Sequence, residues 1–184
     1  MGINSTGPGI LPYTVIDGIP TLSDSQIKGL FGAMRPGVVR LTWYDKSVMN
    51  EDDLVRFFKT PGQLVFLILF DNVVLGFIWV NDIKYRAATV HFTCLRGVHT
   101  DILVIASKYG ARRIMQDIGF DVLVGLTPET NTRQLKYMTE MIGCEIAGII
   151  PMACHDSYKN MSINGVVSYL TLSEVEDNGG EERK

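Results

Sequence analysis

At 184 residues, with 46% hydrophobic and 20% charged side chains, the chain has the length and make-up of one folded domain able to bury its own core. The formal charge of −3 is confined to the end: residues 174–184 hold five acids and two bases, so residues 1–173 balance to zero. That balance excludes a strongly basic nucleic-acid-binding surface, and the composition excludes large-scale disorder. We read 1–173 as a single domain and 174–184 as an acidic disordered tail.

Residues 1–12, with Gly7-Pro8-Gly9 and Pro12, read as an arm, and Tyr13 to Asp17 as an edge strand. Ser23 or Ser25 caps a helix to about Met34, stopped by Arg35-Pro36-Gly37. Val38 to Trp43 reads as a strand or extended segment. Asn50 caps a short helix whose first turn carries Glu51-Asp52-Asp53 and whose buried side is Leu54, Val55, Phe57 and Phe58.

Leu64 to Phe70 and Val73 to Val80 are apolar strands joined at Asp71-Asn72, a hairpin signal, and Asn81-Asp82 turns the chain into a third strand ending at Leu95. Arg96-Gly97-Val98-His99-Thr100 breaks that strand, and an amphipathic helix follows with Thr100 or Asp101 as its expected N-cap. A phosphate-sized anion would fit where that helix starts. Phe120 to Leu126 is a buried, parallel-type strand, Thr127 to Asn131 leads into a helix ending at Gly143, and Pro151 to Asn164 is a long loop between two last strands. The result is a mixed α/β fold, with a right-handed crossover between the strand ending at Leu95 and the one starting at Phe120.

The run Arg96-Gly97 opening a helix, then Val124-Gly125-Leu126-Thr127-Pro128, then Asn131-Thr132-Arg133-Gln134-Leu135-Lys136-Tyr137, then Gly143 and Gly148 on an apolar strand, resembles the GNAT superfamily of acyl-CoA N-acyltransferases. The resemblance implies a central, mostly antiparallel sheet of six to seven strands flanked by helices, with one splayed parallel strand pair. It implies transfer of an acetyl group from acetyl-CoA to an amine of an unidentified acceptor. Two places depart from the family. His99 and Asp101 stand where its pyrophosphate loop carries glycines, and the interval from Asn131 to Gly143 is one residue longer than usual. The alternative is therefore a GNAT-fold protein with a degraded cofactor loop, acting as a non-catalytic binding or assembly component.

The implied cofactor site is Cys94, Leu95, Arg96, Gly97, Val98, His99 and Thr100, with Asn131 for the pantetheine arm and Arg133 for a phosphate. The base for the incoming amine is His91, an imidazole in the strand beside the cleft, with a half-buried strand histidine as the competing reading. Tyr137 is the implied acid for the departing thiolate, with core packing as its competing reading. His91, His99, Cys154 and His155 lack the spacing of a structural metal site, so none is expected. Three cysteines without a CxxC pair fit a reducing compartment. Met1 to Thr6 lacks a signal-peptide pattern, and the apolar run 64–70 is too short for a bilayer, so a cytoplasmic protein without a membrane partner is expected. A homodimer or protein partner is left open.

Overall fold

A computed structural model describes residues 6–173. The acidic tail 174–184 lies outside the described residues. Seven strands form one sheet in the order β1 (Pro8–Pro12), β4 (Leu64–Phe70), β5 (Val73–Lys84), β6 (Ala87–Cys94), β7 (Val122–Pro128), β9 (Met161–Thr171), β8 (Glu145–Asp156), and all neighbours are antiparallel except β6 and β7.

β1 (Pro8–Pro12) pairs with β4 (Leu64–Phe70), so the expected arm is an edge strand. Prolines at both its ends cost nothing on an outer edge, where the missing N–H has no ladder partner to lose. The strand expected at Tyr13 to Asp17 shrinks to a two-residue pair, β2 (Val15–Ile16) with β3 (Ile19–Pro20). α1 (Asp24–Ala33) is capped by Ser23, whose side chain accepts from Gln26 N while the Gln26 side chain accepts from Ser23 N.

The extended segment expected at Val38 to Trp43 is instead a helix, α2 (Pro36–Thr42). Pro36, which ends α1, also occupies the first helical position of α2, where its fixed φ and absent N–H are harmless. Local β-propensity of Val38 and Val39 yields there to that start signal and to burial of Trp43. α3 (Glu51–Phe58) begins at Asn50, which accepts from Asp53 N in a reciprocal capping box. Asn50→Ala is expected to cost about 1 kcal/mol, read as a lower urea midpoint at unchanged slope.

β4 and β5 (Val73–Lys84) form a hairpin whose Asp71 and Asn72 both have positive φ, 49° and 63°, as a type I′ turn requires. β5 does not turn at Asn81-Asp82. A register irregularity between Asn81 and Lys84 absorbs Asp82 at φ 47°, and the chain reverses at Tyr85 before β6 (Ala87–Cys94). α4 (Thr100–Ile118) crosses to β7 (Val122–Pro128), and α5 (Thr132–Lys136) passes into a π-helical turn, Tyr137–Ile142. In that turn Gly143 N donates to Met138 O, five residues back. A π turn takes up one residue more than an α turn, and the long Asn131 to Gly143 interval is accommodated there.

The expected loop at Pro151 to Asn164 is largely strand: β8 (Glu145–Asp156) and β9 (Met161–Thr171) form one long hairpin that turns only at 157–160. Irregularities between Ile146 and Gly148 and between Ile150 and Cys154 hide its alternation from a sequence reading. β9 inserts between β7 and β8. Helices cover both sheet faces. On one, α4 packs Ala106, Ile114 and Met115 against Ile68, Ile78 and Leu123. On the other, α1 and α3 bring Ile27, Leu54 and Phe58 to Phe77 and Trp79. Among the described residues no helix is long and apolar enough to cross a membrane.

Candidate functional site

β6 and β7 pair over only three positions, Ala87 with Val122, Ala88 with Leu123 and Thr89 with Val124. Beyond them β6 stays with β5 as far as Cys94, and β7 stays with β9 as far as Pro128. The two strands therefore part at Val90 and Gly125. Glycines flank the opening on its outer sides. A Cβ on Gly76 would run into the Thr93 backbone oxygen, and one on Gly125 would lie 3.0 Å from Ser168 Oγ. Their absence lets each arm of the V lie close to its outer neighbour and away from the other.

Leu95 N donates to Leu75 O (2.8 Å), turning that residue's backbone toward β5. On an extended strand the alternate residues Cys94, Phe92 and Val90 then face the gap, where no β7 ladder meets them. Unpaired strand edges of this kind are binding groups for any ligand with its own amides.

The wide end of the V meets the start of α4. Only Gly97 needs the left-handed region there (φ 82°); His99, the N-cap, is extended at φ −70°, so glycine is not required at its position. The expected cap residues differ from those found. Thr100 and Asp101 lie inside the first turn, and the His99 side chain makes no capping hydrogen bond, whereas α1, α3 and α5 are each capped by a side chain. The first N–H groups of α4 are thus directed outward without a side-chain acceptor. The Asp101 side chain is 83% exposed and lies 3.6 Å from His99 Nδ1.

Arg96 is tied to α1 through its N–H to Ala33 O (2.9 Å). Burial pushes the Cys94 thiol up, and the Arg133 and Arg35 charges act on it in the opposite sense, so both charges are felt at the end of β6. Arg35 was not a sequence candidate; it reads as part of a helix stop, and only the recognition of Pro36 as a helix start would have marked it. Asn131 caps α5, accepting from Gln134 N (3.3 Å), and lines the opening beside Pro128.

From the V a cleft of about 450 Å³ runs toward α2 and α3. Trp43, Trp79 and His91 stack along it with nearly parallel rings, 5.7 Å and 4.9 Å apart, and Phe57 stands edge-on to both tryptophans. His91 Nε2 lies 3.2 Å from Asn81 Oδ1, so as donor to that oxygen it leaves Nδ1 as the acceptor. Burial lowers the His91 pKa below the usual imidazole value, against a weaker opposing pull from Asp82 and Asp45. A neutral imidazole at physiological pH is thereby favoured. The β8–β9 turn closes one side: Ser157 N donates to Tyr44 O (2.9 Å), and the Tyr158 ring takes the Arg40 and Lys46 cations at 4.9 and 5.0 Å.

Tyr137 is placed differently from His91. Its hydroxyl donates to Ser107 Oγ (3.0 Å), its ring stacks on Phe92 (5.6 Å), and it does not line the larger cleft. Burial pushes its pKa up to about 12. The structure thus gathers residues 94–100, Asn131 and Arg133 around the wide end of the V, with His91 in the cleft that continues from it.

No protein-family model matches the sequence, and no curated protein matches it. Solved structures do. The chain is similar to an acetyltransferase from Bacillus anthracis described as GNAT family, at 12% identity and TM-score 0.67 over 95% of this chain and 100% of that one. It is similar to a mutant of the spermidine N-acetyltransferase SpeG from Vibrio cholerae, at 9% identity and TM-score 0.69 over 95% and 99%. It is also similar to MccE, a microcin C7 self-immunity acetyltransferase solved with acetyl-CoA and AMP, at 12% identity and TM-score 0.68 over 92% and 94%.

Proposed function

We infer that this chain, whose fold is that of the GNAT superfamily, is an N-acetyltransferase that takes its acyl group from acetyl-CoA and delivers it to an amine. One observation carries the reading: the V between β6 and β7 connects the uncapped start of α4 to a cleft containing a buried, neutral-favouring histidine.

The residues present fit the donor. The first N–H groups of α4 and the guanidinium groups of Arg35, Arg96 and Arg133 suit a pyrophosphate. The β6 edge at Val90, Phe92 and Cys94 and the Asn131 amide suit a pantetheine arm. Bound there, the donor supplies a thioester carbonyl.

His91 Nδ1 takes a proton from the incoming ammonium, so that the free amine attacks the thioester carbon. A C–N bond forms and the C–S bond breaks. Backbone N–H groups on the open edge of β6 polarise the carbonyl oxygen as charge develops on it. The thiolate acquires its proton from solvent or from Tyr137, whose raised pKa keeps it in the acid form. Trp43, Trp79 and Phe57 give the cleft an aromatic wall beside His91.

Calorimetric titration with CoA and acetyl-CoA tests the reading. Saturable binding is expected, weakened by roughly tenfold in each of Arg96→Ala and Arg35→Ala, the scale of one hydrogen bond to a charged group, and weakened further by added salt. Absence of binding at millimolar ligand would overturn it.

Asp101 favours the alternative of a non-catalytic binding component, because a carboxylate in the first turn of α4 opposes phosphate. Asp101→Asn is expected to tighten CoA binding severalfold. If the wild type binds no CoA and the asparagine variant does, the loop has lost its grip and the alternative stands.

A further inference from the structure

A second, smaller cavity of about 40 Å³ lies behind the point of the V, between the sheet, α4 and the π turn. Val90, Phe92, Gly125 and Met138 line both it and the larger cleft. Val90 and Gly125 are also the first residues past the last β6–β7 pair, so the cavity begins where the strands part. Its walls are almost wholly apolar. Of the hydroxyl residues that line it, Tyr137 and Ser107 hydrogen-bond to each other at 3.0 Å. Water gains little in such a space, and the lining atoms lack packing partners on that side. The π turn helps hold it open, since Tyr137, Met138 and Ile142, all on that turn, form part of the wall.

We propose that this cavity is an acyl-tail pocket and that the chain accepts donors one or two carbons longer than acetyl, namely propionyl- and butyryl-CoA. The proposal rests on the acyl-CoA reading above. A pantetheine arm entering from the wide end of the V directs its acyl group to the closed end, where this cavity starts. The reaction is unchanged: the thioester C–S bond breaks, the C–N bond forms, His91 receives the amine proton and the thiolate is protonated. On a scale where one water needs roughly 10–15 Å³, the space of about 40 Å³ admits about three or four methylene-sized groups, room for the three carbons beyond the carbonyl of a butyryl group. A hexanoyl tail exceeds it.

Titration of the full chain with CoA and with acetyl-, propionyl-, butyryl- and hexanoyl-CoA tests this. Affinity is expected to rise about fourfold per methylene from acetyl to butyryl, the value of one buried CH₂, and to fall at least tenfold at hexanoyl. Ala111→Leu narrows the cavity and is expected to cut the butyryl-to-acetyl affinity ratio by tenfold or more. Ile142→Ala enlarges it and moves the optimum toward hexanoyl, keeping the test decisive where the leucine variant fails to fold. CoA and acetyl-CoA binding with affinity flat or falling along the series would overturn the pocket alone. Failure of CoA and every acyl-CoA to bind would overturn the acyl-CoA reading and the pocket with it.

Discussion

Replacing His91 by alanine is expected to lower the rate of thiol release from acetyl-CoA, measured over a panel of primary amines, by about 10²- to 10⁴-fold, the usual weight of a positioned general base. The imidazole is stacked on Trp79 and held through Nε2 by Asn81 Oδ1, which leaves Nδ1 oriented and unprotonated. Because burial lowers its pKa, the acidic limb of kcat/KM in the wild type is expected to have its midpoint below about 6.5. That limb should vanish in His91→Gln while CoA binding by calorimetry is retained. A loss under about threefold, with the limb intact, would assign proton removal elsewhere.

The same shift has a consequence for stability. The folded-state pKa lies below the unfolded one, so the unfolded chain binds the proton more readily. The contribution is present above about pH 6.5 and is lost as pH falls through the folded value. His91→Gln is expected to flatten the acid side of the urea-midpoint profile.

The second large effect falls on the scaffold. Gly76→Ala is expected to destabilise the protein by about 3 kcal/mol, the upper end of ordinary overpacking, and to abolish CoA binding in whatever fraction folds. The added Cβ would meet the Thr93 backbone oxygen and the Cys94 Cα, at 3.0 Å for the latter. Neither can rotate away as a side-chain tip would. β6 must move off β5, and the direction open to it is into the V. A folded variant with unchanged CoA affinity would show that the spacing of β5 and β6 does not set the width of the opening. Gly29, whose Cβ would meet nothing within 4 Å, supplies the control substitution.

What could be read in the sequence was what local chemistry dictates. Asp71-Asn72 announced a hairpin because few residue pairs tolerate two positive φ values. Asn50 and Ser23 announced helices because their side chains satisfy backbone donors three residues on. Val38 and Val39 mislead because their β-propensity favours a strand where Pro36 starts a helix. The β8–β9 hairpin was missed because its irregularities break the period-two pattern that marks a strand.

The candidate site divides along the same line. Arg96, Gly97 and Asn131 stood out through their spacing around two helix starts, and His91 through its strand. Arg35 did not, because it reaches the end of β6 from a helix some sixty residues away in sequence. Tyr137 could be named but not placed, since the π turn that follows it and its bond to Ser107 on α4 depend on packing.

The sequence by itself determined the order of elements from Leu64 onward, the crossover between the sixth and seventh strands and the uncharged balance of residues 1–173, because each follows from residue type and periodicity. The tertiary structure alone decided where β6 and β7 part, that a cleft and a small apolar cavity meet at that point, and that the Arg35 and Arg133 charges act at the end of β6. Those features arise from close backbone approach at Gly76 and Gly125 and from contacts between distant segments, which no local pattern encodes.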